Sequence, residues 1–310
     1  MARFDVFGVG TPVIDYYAYV KNEDVDKFGL VKGSTNYFSN RGELDKIGNR
    51  VKIIKKSPGD NARNVCEGVC YLGGSAAYGG AVGKDEDGRL FTDSLEKNKI
   101  EASIEELFKR KTGKVVVLVD EGGDRTFAAD LGAGEWYEKV DEKKISNSSF
   151  FYVTSITLCR ESKTAETALK CLKCAMDYGI RIAYSLESPQ LVQKNRERIL
   201  KTIEEGAYIL FANMEELKAL AIDAKEFSET VPLVCLKIGA DGSAIYHNNS
   251  VIRISAKSVT NVVDTTGAGD AYAAGFLFGL SRGADLKKCG QIATELASRV
   301  IGKVGSGLSD

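Results

Sequence analysis

The chain reads as an α/β protein: a three-layer α/β/α, doubly wound, mostly parallel sheet carrying a small inserted β piece. Three observations point there. From Ser149 onward, short β-branched and aromatic runs alternate with amphipathic stretches, as repeated βα units do. Earlier, residues 14–56 are rich in tyrosines, β-branched residues and glycine turns, so a β-rich excursion leaves the main sheet. Near the C-terminus, Ala271–Leu280 is almost wholly small or apolar and reads as a buried helix.

In chain order, Phe4–Gly10 is a first strand closing on glycines. Gly8-Val9-Gly10 imitates a dinucleotide fingerprint, but Val13 stands where the third glycine belongs, Pro12 intervenes, and Tyr16–Val20 continues as strand. Within residues 14–56 the only helical signal is a short turn over Asn22–Phe28. Ser57–Asn64 then leads into a helix over Val65–Tyr71. Gly73–Gly83 lacks the Lys-Ser or Lys-Thr ending of a phosphate loop and reads as a close-packed strand. A charged turn, Lys84–Gly88, precedes a helix over Leu90–Asn98. Lys114–Asp120 and Arg125–Ala129 form a hairpin across Glu121–Asp124.

The βα alternation follows: strand Phe150–Val153, helix Thr164–Tyr178, strand Ile180–Tyr184, helix Pro189–Glu204, strand Ala207–Phe211, helix Met214–Leu220, strand Leu233–Ile238. Ala244–His247 pairs with Val251–Ile254 across Asn248-Asn249, which makes His247 a strand residue beside a turn. Asp285 caps a last helix whose apolar face holds Leu286, Cys289, Ile292, Ala293, Leu296 and Val300. The expected division is a core of residues 1–13, 57–111 and 131–310, with residues 14–56 and 112–130 forming the β insertion.

Bulk composition excludes several function classes. The 42 basic and 43 acidic residues nearly cancel, so nothing recommends a nucleic acid or an acidic membrane as partner. No apolar run approaches the roughly 18 residues of a membrane span, and the N-terminus lacks a signal pattern, so a soluble cytoplasmic protein is expected. The 7 cysteines are an odd number and are expected to be reduced thiols. Cys171 and Cys174 fall within a helix, no second pair has metal-ligand spacing, and His247 is the single histidine, so no zinc site is expected.

The chemistry concentrates in Val263–Gly275. Gly267, Ala268 and Gly269 stand at the N-terminal edge of the buried helix, where unpaired N–H groups and the positive end of the dipole hold anions. A carboxylate at Asp270 is awkward in an anion hole unless it takes a proton, as an alcohol attacking phosphorus requires. The alternative is an acid that merely caps the helix.

The string Asp264-Thr265-Thr266-Gly267-Ala268-Gly269-Asp270 resembles the C-terminal signature of the ribokinase-like (PfkB) sugar and nucleoside kinases, and the order of features along nearly the whole chain agrees with it. The resemblance implies that Asp270 is the catalytic base, that Gly267, Ala268 and Gly269 form the anion hole, and that the β insertion is a lid. It makes Asp15 the early substrate-binding acid, the alternative being a turn aspartate. Gly59 and Asn64 match the glycine and asparagine that touch the sugar, although Asn64 also fits a helix cap. Asp60 departs from the pattern, standing where a second glycine is expected, and would either bind one more hydroxyl or block the usual pose.

Asn213-Met214-Glu215-Glu216 resembles the Asn-x-x-Glu motif that holds magnesium and phosphates through water, with Glu216 as the metal-side acid; the alternative is an N-cap with first-turn acids. Thr265, Lys237, Gly239 and Gly242 are candidates beside the nucleotide, lysine being an unexpected residue at 237. Gly123–Ala133, with Arg125 as a substrate-side candidate, resembles the adenosine kinase branch most closely, as does Asp26–Leu30. Phe127 either stacks on a base or packs the lid. A monovalent cation such as potassium beside Asp264 is implied by the resemblance alone.

The expectation is an ATP- and Mg²⁺-dependent transfer of the γ-phosphate to a primary hydroxyl of a nucleoside or sugar, by a monomer or a homodimer paired through its lids. A free hexose or keto-sugar is the second acceptor class. A sensor on the same fold that binds nucleoside or sugar and transfers nothing is the alternative of another kind, against which both acids, Glu216 and Asp270, speak.

Overall fold

The computed structural model describes residues 3–257, 259, 265–302 and 307–308; Val263 and Asp264, with the cation expected there, lie outside the described residues. Strand β1 (Phe4–Val9) opens the chain and lies in the interior of a nine-stranded sheet. The next segments build a smaller sheet: β2 (Val13–Tyr19), α1 (Asn22–Lys27), β3 (Thr35–Tyr37), α2 (Arg41–Gly48) and β4 (Ile53–Gly59). The chain then returns to the large sheet through α3 (Asn61–Tyr71), β5 (Ala76–Gly83), α4 (Glu86–Lys97) and β6 (Glu101–Leu107). The hairpin β7 (Gly113–Val119) and β8 (Arg125–Asp130) goes back to the smaller sheet.

From there α5 (Glu142–Ser146), β9 (Ser148–Thr154), α6 (Ser155–Leu158), α7 (Lys163–Asp177), β10 (Arg181–Ser185), α8 (Pro189–Lys194), α9 (Arg196–Gly206), β11 (Ala207–Asn213), α10 (Met214–Leu220), α11 (Ala224–Phe227) and β12 (Leu233–Lys237) extend the large sheet by parallel steps. The antiparallel pair β13 (Ser243–His247) and β14 (Ser250–Ile254) ends that edge. Helices α12 (Ala268–Ser281) and α13 (Leu286–Val300) close the chain.

The strand order β14-β13-β12-β11-β10-β9-β1-β5-β6 means that the chain winds outward from β1 in both directions. Alternate side chains divide the core between the two faces: Val6, Phe150 and Tyr152 pack under α3, α12 and α13, while Phe7, Phe151 and Val153 pack under α7, α9 and α10. Helix α12 is held tightly because Gly275 has no side chain, and a Cβ there would lie 2.7 Å from the Ala293 Cα of α13. The N-terminus of α12 is thereby fixed over the carboxyl edge of the sheet, where ligands of doubly wound folds bind.

The smaller sheet, ordered β3-β8-β7-β2-β4, covers one face with α1 and α2, burying Ala18, Val25, Leu44, Ile47, Val116 and Leu118. Its other face carries Val13, Tyr17, Val115, Val117 and Ala129, with Phe127 partly buried among them. Three elements correct the sequence reading. Helix α2 is absent from it because Arg41–Gly48 offers only Leu44 and Ile47 as an apolar pair between two glycines; Asn40 caps it by accepting the Gly42 N–H. Strand β6 is acid-rich, and a charged edge strand does not look like a core strand. The helix expected over Pro189–Glu204 is two helices broken at Asn195, whose own amide group bonds back to Leu191 O.

Candidate active site

Gly267 is the N-cap of α12 and adopts φ 77°, a left-handed conformation that glycine takes without strain. The Ala268 N–H closes a turn onto Thr265 O at 3.2 Å, so the open donors of the first helical turn are those of Gly269 and Asp270. Thr265 itself is exposed.

Asp270 is only 4 % exposed and does not cap its own helix. One carboxylate oxygen accepts from Asn64 Nδ2 at 2.9 Å and the other from Asn61 Nδ2 at 3.3 Å. Burial raises its pKa to about 6, opposed by the Asn64 bond, by the charge of Lys237 and by Asn61. Such a group is mostly ionised at neutral pH yet basic enough to take a proton.

The first turn of α3 supplies the groups that face Asp270. Arg63 is buried and pairs with Glu67 at 2.8 Å, and its Nη1 also donates to Asn64 Oδ1 at 3.2 Å. That bond fixes the amide of Asn64 so that its NH₂ faces Asp270. Asp15 lies on β2 opposite Ser57 of β4. A Cβ on Gly59 would come within 2.7 Å of Asp15 Oδ2, so only glycine leaves room for this carboxylate. Burial raises the Asp15 pKa to about 7 against the opposing charge of Arg63 and a bond from Tyr17.

Asp60 has a structural task. Its carboxylate accepts the amides of Thr11 at 3.0 Å and Arg63 at 3.1 Å, capping α3 and tying it to the β1–β2 turn. It fills the space beside Gly10, where a Cβ would be 2.0 Å from Asp60 Oδ2. The backbone at φ 133° is a glycine conformation, so the glycine geometry is kept while the side chain serves as a cap. Burial raises its pKa as well, against the two amide bonds.

Asn213 and Glu216 form a reciprocal capping box at the start of α10, each accepting the other's backbone N–H at 2.8 Å. The pair caps the helix, and Glu216 is held just past the carboxyl end of β11. Burial raises the Glu216 pKa, with Lys237 opposing. Lys237 ends β12 in register with Asn213, and a Cβ on Gly269 would lie 3.0 Å from its Nζ. Gly239 stands in open space, whereas Gly242 is packed against β14, where a Cβ would strike Ile254 O at 2.0 Å.

Arg125 reaches from β8 to donate to Thr266 Oγ1, just before the N-terminus of α12. Two further residues escape the sequence reading. Asn61 holds Asp270, and its signal was a second asparagine three positions before Asn64 on the same helical face. Glu187 follows β10, accepts from Ser185 Oγ at 3.1 Å, and has its pKa raised by burial and by the charges of Asp270 and Glu216, against Lys237. Its signal was an acid just beyond the carboxyl end of a parallel strand.

A phosphate fits this donor set: open helix amides, a threonine and two cations converge on it. A magnesium ion fits only through its own waters, because the described residues hold no cluster of three ligating acids or imidazoles. No helix among the described residues is long and apolar enough to cross a membrane.

The fold places a buried acid in the first turn of a helix at the edge of a doubly wound sheet, and residues 23–310 match the family described as pfkB family carbohydrate kinase. The chain belongs to that family and is a kinase. It is 28% identical over 247 residues to an uncharacterized sugar kinase of Archaeoglobus fulgidus, covering 77% of this chain and 96% of that one. It is 28% identical over 259 residues to a nucleoside kinase of Methanocaldococcus jannaschii, with 81% and 82% covered. The crystal structure of adenosine kinase from Sinorhizobium meliloti superposes with a TM-score of 0.93 at 28% identity, over 100% of this chain and 97% of that one.

Proposed function

We propose that the chain transfers the γ-phosphoryl group of ATP to a primary hydroxyl of a nucleoside, with Asp270 as the base. The observation that carries this is a buried carboxylate, held by Asn61 and Asn64 with a pKa raised to about 6, in the first turn of the helix whose open amides bind anions. ATP supplies the transferable phosphoryl group, and Glu216 would hold the hydrated magnesium that accompanies it. Asp270 accepts the proton as the acceptor oxygen bonds to phosphorus; the bond from phosphorus to the bridging oxygen breaks and its electron pair leaves with ADP. The Gly269 and Asp270 amides stabilise the charge that develops, and Arg125 brings the smaller sheet down as a lid that excludes water.

Two features favour a nucleoside. The face of the smaller sheet opposite its helices is apolar and aromatic, with Tyr17, Val117 and Phe127, which suits a flat base. Arg63 is neutralised by Glu67 and leaves no charge for a phosphorylated sugar. The likeness to an adenosine kinase over the full chain supports the same choice. A free sugar is the second reading, supported by the sugar kinase relative. ADP release with a mixed panel of nucleosides and sugars decides between them. Turnover on nucleosides alone upholds the first reading, turnover on sugars alone upholds the second, and saturable binding without turnover on any member refutes both in favour of a sensor.

A further inference from the structure

Lys237 has no role in the steps above, yet its placement is electrostatically odd. It is half-buried at the end of β12, and its ammonium lies over the first turn of α12, 3.0 Å from where a Cβ on Gly269 would be. A cation beside the positive end of a helix is unfavourable on its own. Among the described residues no carboxylate is close enough to form an ion pair with it, although Glu187, Glu216 and Asp270 all feel its charge. Register fixes the position from the other side: Lys237 pairs with Asn213 of β11 and Ser243 of β13, so the side chain springs from a rigid sheet edge.

A lysine held there, with helix amides facing it and carboxylates only at longer range, is completed by an anion between ammonium and amides. We propose that Lys237 is a catalytic residue that neutralises the outer oxygens of the phosphoryl group in flight, resting on the kinase reading of the same site. Arg125 reaches Thr266 from the smaller sheet, whereas Lys237 springs from the large sheet that also carries Asn213. The acceptor's proton goes to Asp270 and the bond electrons leave with ADP. Charge is spread over the three outer oxygens as the group transfers, and a fixed ammonium beside them needs no reorganisation at that moment.

The test compares wild type, Lys237→Met and Lys237→Arg. Methionine keeps the length and the apolar stem, arginine keeps the charge, and a thermal melt of each reports folding. Lys237→Met is expected to lose about 10²–10³ in kcat, with arginine recovering part of it. Affinity for a non-hydrolysable ATP analogue falls about tenfold or more, while ADP affinity stays within about threefold, because only the terminal phosphate meets the ammonium. A Met variant whose kcat stays within about threefold of wild type overturns the proposal, as does a parallel loss of ADP and analogue affinity at constant kcat. Should wild type act on no acceptor, the acceptor reading fails, but the gap between analogue and ADP affinity still decides the role of Lys237. A gap that vanishes in Lys237→Met upholds it; a gap that persists, or wild type that binds neither nucleotide, overturns it.

Discussion

Replacing Asn64 by alanine removes the strongest influence that holds the Asp270 pKa down. Burial alone would push this carboxyl higher than about 6, and the Asn64 bond at 2.9 Å is the largest opposing contribution. A hydrogen bond to a charged group is worth roughly 1.5–3 kcal/mol, and 1.36 kcal/mol is about one pKa unit, so Asp270 rises by roughly one to two units. At pH 7 the ionised fraction then falls from about nine-tenths to between a half and a tenth or less. The assay is kcat/KM for the best acceptor, by ADP release, between pH 5 and 9. The acidic limb of Asn64→Ala moves up by that amount, and the plateau at high pH recovers, unless Asn64 also binds the acceptor, in which case the plateau drops while the shift remains. Asp15, raised to about 7 by burial against Arg63, is not bonded to Asn64 and its step stays in place. An acidic limb that stays put or moves to lower pH refutes the assignment of Asp270 as the group that must be ionised.

Gly59→Ala puts a methyl 2.7 Å from Asp15 Oδ2, so KM for the acceptor rises about tenfold or more while ATP affinity holds, as titration calorimetry would show. Asp60→Gly loses the cap on α3 but relieves a strained φ of 133°, and its melting point stays near wild type; Asp60→Ala loses the cap, keeps the strain and is destabilised by roughly 1–3 kcal/mol. Asp270 has a folded pKa above its unfolded value, so its contribution to stability is present below the unfolded pKa and is lost as pH rises through about 6. Asp270→Asn therefore gains stability at pH 8, by at most about 3 kcal/mol, and gains little at pH 4, which urea titrations at the two values would reveal.

The parts legible in the sequence are those whose signal is local. The small-residue run after Gly269 fixes a buried helix, and the acid beside it announces chemistry, because both sit within one turn of chain. The βα rhythm after Ser149 is equally local, and the parallel sheet follows from it. What was not legible depends on distant partners. The cap that Asp60 makes is hidden because one of the amides its carboxylate accepts, that of Thr11, is far away in sequence. Arg125 meets Thr266 although 141 positions separate them, a contact no local pattern announces. Glu187 passes unnoticed in the sequence because its neighbours Asp270 and Glu216 come from distant elements. Helix α2 lacks both periodicity and propensity, and forms because the smaller sheet offers Leu44 and Ile47 a surface to cover.

The central claim is that the Asp270 carboxylate takes the acceptor's proton, and Asp270→Asn tests it most directly. The substitution keeps the shape and leaves Asn61 and Asn64 beside the side chain. Single-turnover phosphoryl transfer, measured with nucleotide and acceptor both bound, should slow by about 10²–10⁴ while the affinity for each remains within a few-fold of wild type. Transfer by the asparagine variant at a rate within tenfold of the wild-type rate, roughly 1.4 kcal/mol in barrier, would contradict the account.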